Sequence, residues 1–231
     1  MPDPIEIKVL SSLATKEAYL ELVPQFERAN ANTVSTTWAG TADIMKRIAA
    51  GETHDLLISS SNSLEELIKQ GHIVAGSRVD LAKSGIGIAV RAGAPRPDVS
   101  SADALKRTLL AAKSIGYSTG PSGVYLAGLF QRMGIADAVK PKTKQVASGM
   151  TVGPIIATGE AEIGFQQVSE LAHVDGIDYL GPLPPEIQII TVFAAGIHAN
   201  SAQPDAAKSL VKFLTAPAAH AVIKAAGLEL P

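Results

Sequence analysis

The chain has 231 residues, 46% of them hydrophobic and 18% charged, enough to build a packed core and well outside the disordered range. Twenty Lys and Arg against 22 Asp and Glu leave a net charge of -2, and aromatic residues are only 4%, which excludes a nucleic-acid partner held by a basic patch or by base stacking. The absence of cysteine excludes disulfides, thiolate metal sites, iron–sulfur clusters and a Cys nucleophile.

Three units of one design open the chain. Ile5 to Leu10 reads as a strand, Ser11-Ser12 as a turn, and Thr15 to about Asn30 as a helix with Leu20, Val23 and Phe26 on its apolar face. Thr33 to Trp38 is β-branched and strand-like. Ala39-Gly40-Thr41 follows, then a helix with Ile44 and Ile48 one turn apart, stopping at Gly51. Asp55 to Ile58 is a short buried strand, Ser59-Ser60-Ser61 a turn, and Leu64 to Gln70 a helix closed by Gly71. Strand, polar turn and helix in succession predict βαβ crossovers and a parallel sheet covered on both faces.

Ile86 to Val90 is a further strand, and the Gly- and Pro-rich stretch 91–97 is a link. Ser101 caps a helix through Ala112. Ser114 to Tyr117 is a strand, 118–123 a loop, and Val124 to Met133 a helix. Met150 to Thr158 reads as a helix, Ile163 to Gln166 as a strand, and Val168 to Leu171 as a short helix. Ile187 to Ile197 is too long for one ordinary strand and is expected to cross between lobes. Two helices, Pro204 to Thr215 and Pro217 to Ala226, end the chain with proline near each start.

The expected architecture is α/β and two-lobed, each lobe a mainly parallel sheet flanked by helices, with a ligand cleft between them. Lobe 1 is expected at 1–85 plus 196–231 and lobe 2 at 86–195, with hinge strands near 84–91 and 189–197. No apolar run reaches the ~18–20 residues of a membrane helix. Met1-Pro2-Asp3-Pro4 carries neither the basic nor the apolar region of a secretory signal.

The informative pattern is a set of hydroxyls where strands give way to helices: Ser11, Ser12, Thr41, Ser59 to Ser61 and Ser122, with Thr151 opening a helix. A helix start has unpaired N–H groups and about half a positive charge. Several such starts at one sheet edge bind an anion without Lys or Arg. Singly, each of these residues reads equally as a plain N-cap. Gln166 and Gln167 end a strand, one facing the core and one the crevice. Trp38 reads as core or as a cleft wall. Five scattered histidines show no metal-ligand spacing, Gly120-Pro121-Ser122-Gly123 is no nucleophile elbow, and Gly85-Ile86-Gly87 is no dinucleotide fingerprint. No cofactor or metal is expected.

Several stretches together resemble the periplasmic molybdate-binding proteins, which are type II solute-binding proteins of ABC importers. They are Val9-Leu10-Ser11-Ser12-Leu13, Gly40-Thr41 with Ile48-Ala49-Ala50-Gly51, Asp55-Leu56-Leu57-Ile58-Ser59, Pro121-Ser122-Gly123-Val124-Tyr125, and Gly159-Glu160-Ala161-Glu162-Ile163-Gly164. The resemblance implies a monomer that closes by hinge motion on a small anion, works in the periplasm and serves a membrane permease. A cytoplasmic sensor of the same fold is the other location left open. Carried over by position, the ligand donors are Ser11 or Ser12, Thr41 in place of the usual serine, backbone N–H groups at Ser122 and Thr151, and Gln167 where the family usually has a tyrosine. An amide accepts as well as donates, so Gln167 fits a carboxylate-bearing ligand at least as well as molybdate. Aconitate isomerase resembles the same family. Proton abstraction and return on an unsaturated tricarboxylate is therefore the alternative to simple binding, although Tyr117, Tyr125 and Asp43 are the only nearby titratable groups and none carries a motif.

Overall fold

The computed structural model describes residues 5–231. The reading of Met1 to Pro4 lies outside them. The chain forms two units, the first running to Ser84 and resuming at Thr191–Pro231, the second Gly85–Ile190. Residues 191–195, expected in the second lobe, belong to the first. The reason is pairing: every residue of the strand that begins at Thr191 finds its partners there.

The first unit alternates as its sequence demands: β1 (Glu6–Ser11), α1 (Lys16–Asn30), β2 (Thr33–Trp38), α2 (Thr41–Ala49), β3 (Leu56–Ser60), α3 (Ser61–Lys69) and β4 (Val79–Ser84). The second unit follows with β5 (Ile86–Arg91), α4 (Ala102–Ala111), β6 (Ile115–Tyr117), α5 (Pro121–Arg132), α6 (Ala136–Val139), β7 (Thr143–Gln145), α7 (Gly153–Ala157), β8 (Ile163–Gln167), α8 (Val168–Leu171) and β9 (Ile177–Pro182). The chain then returns to the first unit as β10 (Thr191–Ile197), α9 (Pro204–Leu214) and α10 (His220–Ala225).

Each unit holds one five-stranded sheet, in the orders β2-β1-β3-β10-β4 and β7-β6-β8-β5-β9. Both sheets are mainly parallel, as expected, with one reversed strand in each that makes them mixed. β1 runs parallel to β2 and β3, and β6 to β7 and β8. The strand that re-enters the first unit, β10, and the strand that opens the second, β5, are antiparallel to both neighbours. β4, β7 and β9 had no signal in the sequence. All three are edge strands, half-exposed or short, so an apolar run is neither needed nor present.

Alternation along β1 and β3 sends Ile7, Val9, Leu56 and Ile58 to the face covered by α1, α9 and α10, and Leu10 and Leu57 to the face covered by α2 and α3. Phe26 and Phe213 meet edge to face at 5.6 Å, tying α1 to α9. The buried stripe of α1 is Ala18, Tyr19, Leu22, Val23 and Phe26. Leu20 is not on it and stands 55% exposed. Three-residue steps drift 60° each around the helix, so a run of them cannot mark one face.

At the N-terminal edge of the first sheet, Asp55 ties three segments together. It accepts from Lys8 N–H at 2.8 Å, Ser201 Oγ at 2.7 Å and Gln203 N–H at 2.9 Å. Burial alone would raise this carboxyl. The bonds from Lys8, Ser201, Gln203 and Ala202 outweigh it and hold the group below the usual carboxylate range. A depressed carboxyl stabilises the fold above its ordinary pKa, and that stability goes as the pH falls through the lowered value. Asp55→Ala should therefore cost roughly 3 kcal/mol at neutral pH by orphaning buried donors, with a smaller loss of stability on acidification than in the wild type. Urea unfolding followed by the fluorescence of Trp38, the single tryptophan, reads this directly.

Candidate functional site

Parallel pairing puts the C-terminal ends of β1, β2 and β3 at one edge of the first sheet. Ser11 lies in register with Trp38 and with Ile58. The chain turns here through two backbone bonds, Ser12 N–H to the Ile58 carbonyl at 2.8 Å and Ala39 N–H to the Ser11 carbonyl at 3.0 Å. The hydroxyl of Ser11 is used locally, donating to the Ser12 carbonyl at 3.0 Å. That of Ser12 is buried with no partner. The geometry thus separates two serines that sequence left equivalent.

Thr41 is the first residue of α2, and its Oγ1 is also buried and unpartnered. The first helical bond of α2 is Ile44 N–H to the Gly40 carbonyl at 3.0 Å, so the N–H groups of Thr41, Ala42 and Asp43 precede the ladder. The serines that end β3 divide in the same way. Ser59 and Ser60 belong to the strand rather than to a turn. Ser60 is a plain N-cap, bonded to Ser63 Oγ at 2.8 Å and accepting from Ser63 N–H at 3.4 Å, whereas Ser59 Oγ is buried without a partner. Thr15 Oγ1 is a further orphan, but it lines an apolar hollow with Ala18, Tyr19, Leu22 and Leu81.

Trp38, at the end of β2, packs edge to face on Tyr19 at 5.3 Å, and Lys16 Nζ stands 5.5 Å from the centre of its ring. Sequence reading missed this cation, which reaches the edge only because α1 folds back beside β2.

In the second unit the ends of β6, β7 and β8 share an edge in the same way. Residues 121–123, expected in a loop, already belong to α5. Ser122 is buried, and its Oγ pairs with Ser118 Oγ at 3.2 Å. The first helical bond of α5 is Val124 N–H to the Gly120 carbonyl at 3.1 Å, so the N–H groups of Ser122 and Gly123 come before it. Thr151 does not open a helix. α7 begins at Gly153, and the preceding Val152 N–H is taken by Gln166 Oε1 at 2.6 Å.

Both glutamines of β8 are buried, on opposite faces. Gln166 joins Val152 to Glu170, donating from Nε2 to Glu170 Oε1 at 2.6 Å. Gln167 is the N-cap of α8, and its N–H bonds the Glu170 carboxyl. Burial pushes the Glu170 carboxyl up to about 8, against the downward pull of those two donors. Sequence reading missed Glu170. Its signal was its place three residues after an N-cap, the spacing of a capping box.

Tyr125 is engaged elsewhere, with its OH donated to the Ile187 carbonyl at 2.8 Å and its ring under Arg132. Tyr117 packs on Phe130. At the opposite edge of the first sheet burial lowers the His198 pKa, and His54 and His72, remote in sequence, lie close enough to add to that shift. Among the described residues no three His, Asp or Glu side chains converge as metal ligands.

Residues 7–229 match the model of a family described as bacterial extracellular solute-binding protein. The chain is 36% identical to the aconitate isomerase of a Pseudomonas species over 229 residues, covering 96% of this chain and 87% of that one. It is 28% identical to a molybdate-binding protein of Azotobacter vinelandii over 224 residues, covering 91% and 84%. The solved periplasmic molybdate-binding protein of Azotobacter vinelandii superposes with a TM-score of 0.81 at 21% identity, over 97% of this chain and 99% of that one.

A Cβ at Gly123 would overlap the Ser118 carbonyl, whereas one at Gly128, in the same helix, would meet only the flexible end of Arg132. Gly123→Ala should destabilise the second unit by about 3 kcal/mol and displace the start of α5. Gly128→Ala should be neutral or stabilising by up to about 1 kcal/mol. Parallel thermal melts of the two variants check the contrast.

Proposed function

Because the chain belongs to the bacterial extracellular solute-binding protein family, we propose that it captures a small carboxylate-bearing anion in the periplasm, as a monomer, and passes it to an ABC-type permease. The observation that carries this reading is the pair of buried, unpartnered hydroxyls, Ser12 Oγ and Thr41 Oγ1, beside the unpaired N–H groups at the start of α2. A buried hydroxyl without a partner costs about 1–3 kcal/mol, a cost that a bound acceptor removes. The donors assigned to the anion are Ser12 and Thr41 in the first unit, and Ser122 N–H, Thr151 N–H and the Gln167 amide in the second. Ser11 supports the turn rather than the ligand, since its hydroxyl is already bonded to Ser12. Gln167 suits a carboxylate-bearing ligand that also carries a hydroxyl or a protonated carboxyl to donate to the amide oxygen, whereas ionised carboxylates and ionised oxoanions alike can only accept from the amide nitrogen.

The 36% identity to an aconitate isomerase favours a second reading: double-bond isomerisation of an unsaturated tricarboxylate on the same site. The start of α2 would then stabilise an enolate-like charge, while a base in reach of the carbon acid would have to come from the residues around it.

A thermal-shift panel of molybdate, tungstate, sulfate, cis-aconitate, trans-aconitate and saturated tricarboxylates separates these readings. A ligand at ~100 times its dissociation constant adds about 2.7 kcal/mol. Shifts with carboxylates alone support the proposal, and shifts with molybdate or tungstate alone overturn it. Interconversion of cis- and trans-aconitate followed by NMR makes the protein an isomerase; binding without interconversion makes it a carrier. By calorimetry, Thr41→Ala should weaken binding about tenfold with the fold intact, and an unchanged affinity removes Thr41 from the site. Gln167→Tyr should move the preference toward oxoanions.

A further inference from the structure

Gln166 is 1% exposed on β8, on the face that α7 covers. Its amide can lie only one way. Val152 N–H is a donor and must meet the oxygen, while the Glu170 carboxyl accepts from the nitrogen. Reversing the amide would set donor against donor at Val152. Glu170 is in turn fixed by a second bond from the Gln167 N–H. Backbone bonds mark out the stretch from β7 to α7. Val146 N–H bonds the Tyr117 carbonyl at 3.0 Å at its start, Met150 N–H closes a turn on the Ala147 carbonyl at 3.0 Å, and Val152 closes the end. Thr151 lies between Met150 and Val152, and its N–H finds no partner among the described residues.

We propose that Glu170 is a positioning residue for the anion donor at Thr151, acting through Gln166 to hold residues 147–152 in their binding conformation. Glu170 need not touch the ligand. It orients the Gln166 amide, the amide holds Val152 N–H, and the adjoining Thr151 N–H is left unpaired among the described residues. The proposal rests on the assignment of Thr151 as a donor made above, but the relay also has a signature of its own in the exchange rate of the Val152 amide.

The test uses Glu170→Leu, which removes the acceptor while keeping bulk, and Glu170→Gln, which keeps a carbonyl for Gln166. With cis- and trans-aconitate as probes in calorimetry, Glu170→Leu should lose about tenfold in affinity with a melting temperature at or above the wild-type value. Glu170→Gln should stay within about threefold of wild type, because one good acceptor remains for Gln166. Amide hydrogen exchange at Val152 should speed up at least tenfold in Glu170→Leu and little in Glu170→Gln. Wild-type affinity and wild-type exchange in Glu170→Leu overturn the relay. Should Glu170→Leu fail to fold, Gln166→Leu carries the same expectations and the same refutation. If neither probe binds the wild type, the ligand reading fails, and the relay stands or falls on Val152 exchange alone.

Discussion

Parallel pairing is the constraint from which the rest follows. Once β1 lies parallel to β2 and β3, each connection must return over a face of the sheet as a helix, and each helix must begin at the edge where its strand ended. Helix starts carry unpaired N–H groups and a partial positive charge. The fold therefore gathers the starts of several helices at one edge before any side chain has been chosen. The second unit obeys the same rule with β6, β7 and β8. Side chains then tune an edge that the backbone has already made suited to anions.

In the proposed site the tuning falls to hydroxyls and amides. Ser12 and Thr41 keep buried oxygens without partners, while their neighbours Ser11 and Ser60 spend theirs on the backbone and on Ser63. Such orphans lower stability in the empty protein and are tolerated where a ligand completes them. Lys16, held over Trp38, brings a full positive charge near the edge. Neutral donors fixed by the fold discriminate by geometry and by proton count, where a flexible cation would accept most anions.

In the second unit the proposed donor at Thr151 adjoins a buried chain of bonds. Val152 is tied to β8 by Gln166, and Gln166 by a glutamate whose carboxyl burial has driven up to about 8. A buried acid is costly, and in a core serving only stability an apolar side chain would do as well. The first unit has a counterpart at its other edge, where Asp55 ties β1, β3 and the start of α9 together and is satisfied by donors on every side. The two carboxyls differ because Asp55 meets enough donors to stay ionised and Glu170 does not.

By itself the sequence determined the order of strands and helices, the covered faces of the central strands and the set of hydroxyls at helix starts. These are local matters, settled by periodicity and by the chemistry of capping. It could not supply β4, β7 and β9, since an edge strand is defined by a neighbour and needs no pattern of its own. It placed Leu20 on the wrong face and kept Thr151 at a helix start that lies further on. Which hydroxyls remain free was likewise beyond it. Ser11 and Ser12, or Ser59 and Ser60, are the same residue type side by side, and only the folded chain decides whose oxygen already has a partner. Gln166 and Glu170 acquire their roles from Val152, 14 residues upstream of Gln166 and joined to it by a bond that exists only once β8 and α7 have packed. Composition and spacing govern what a residue can donate, and tertiary structure governs whether that capacity has already been used.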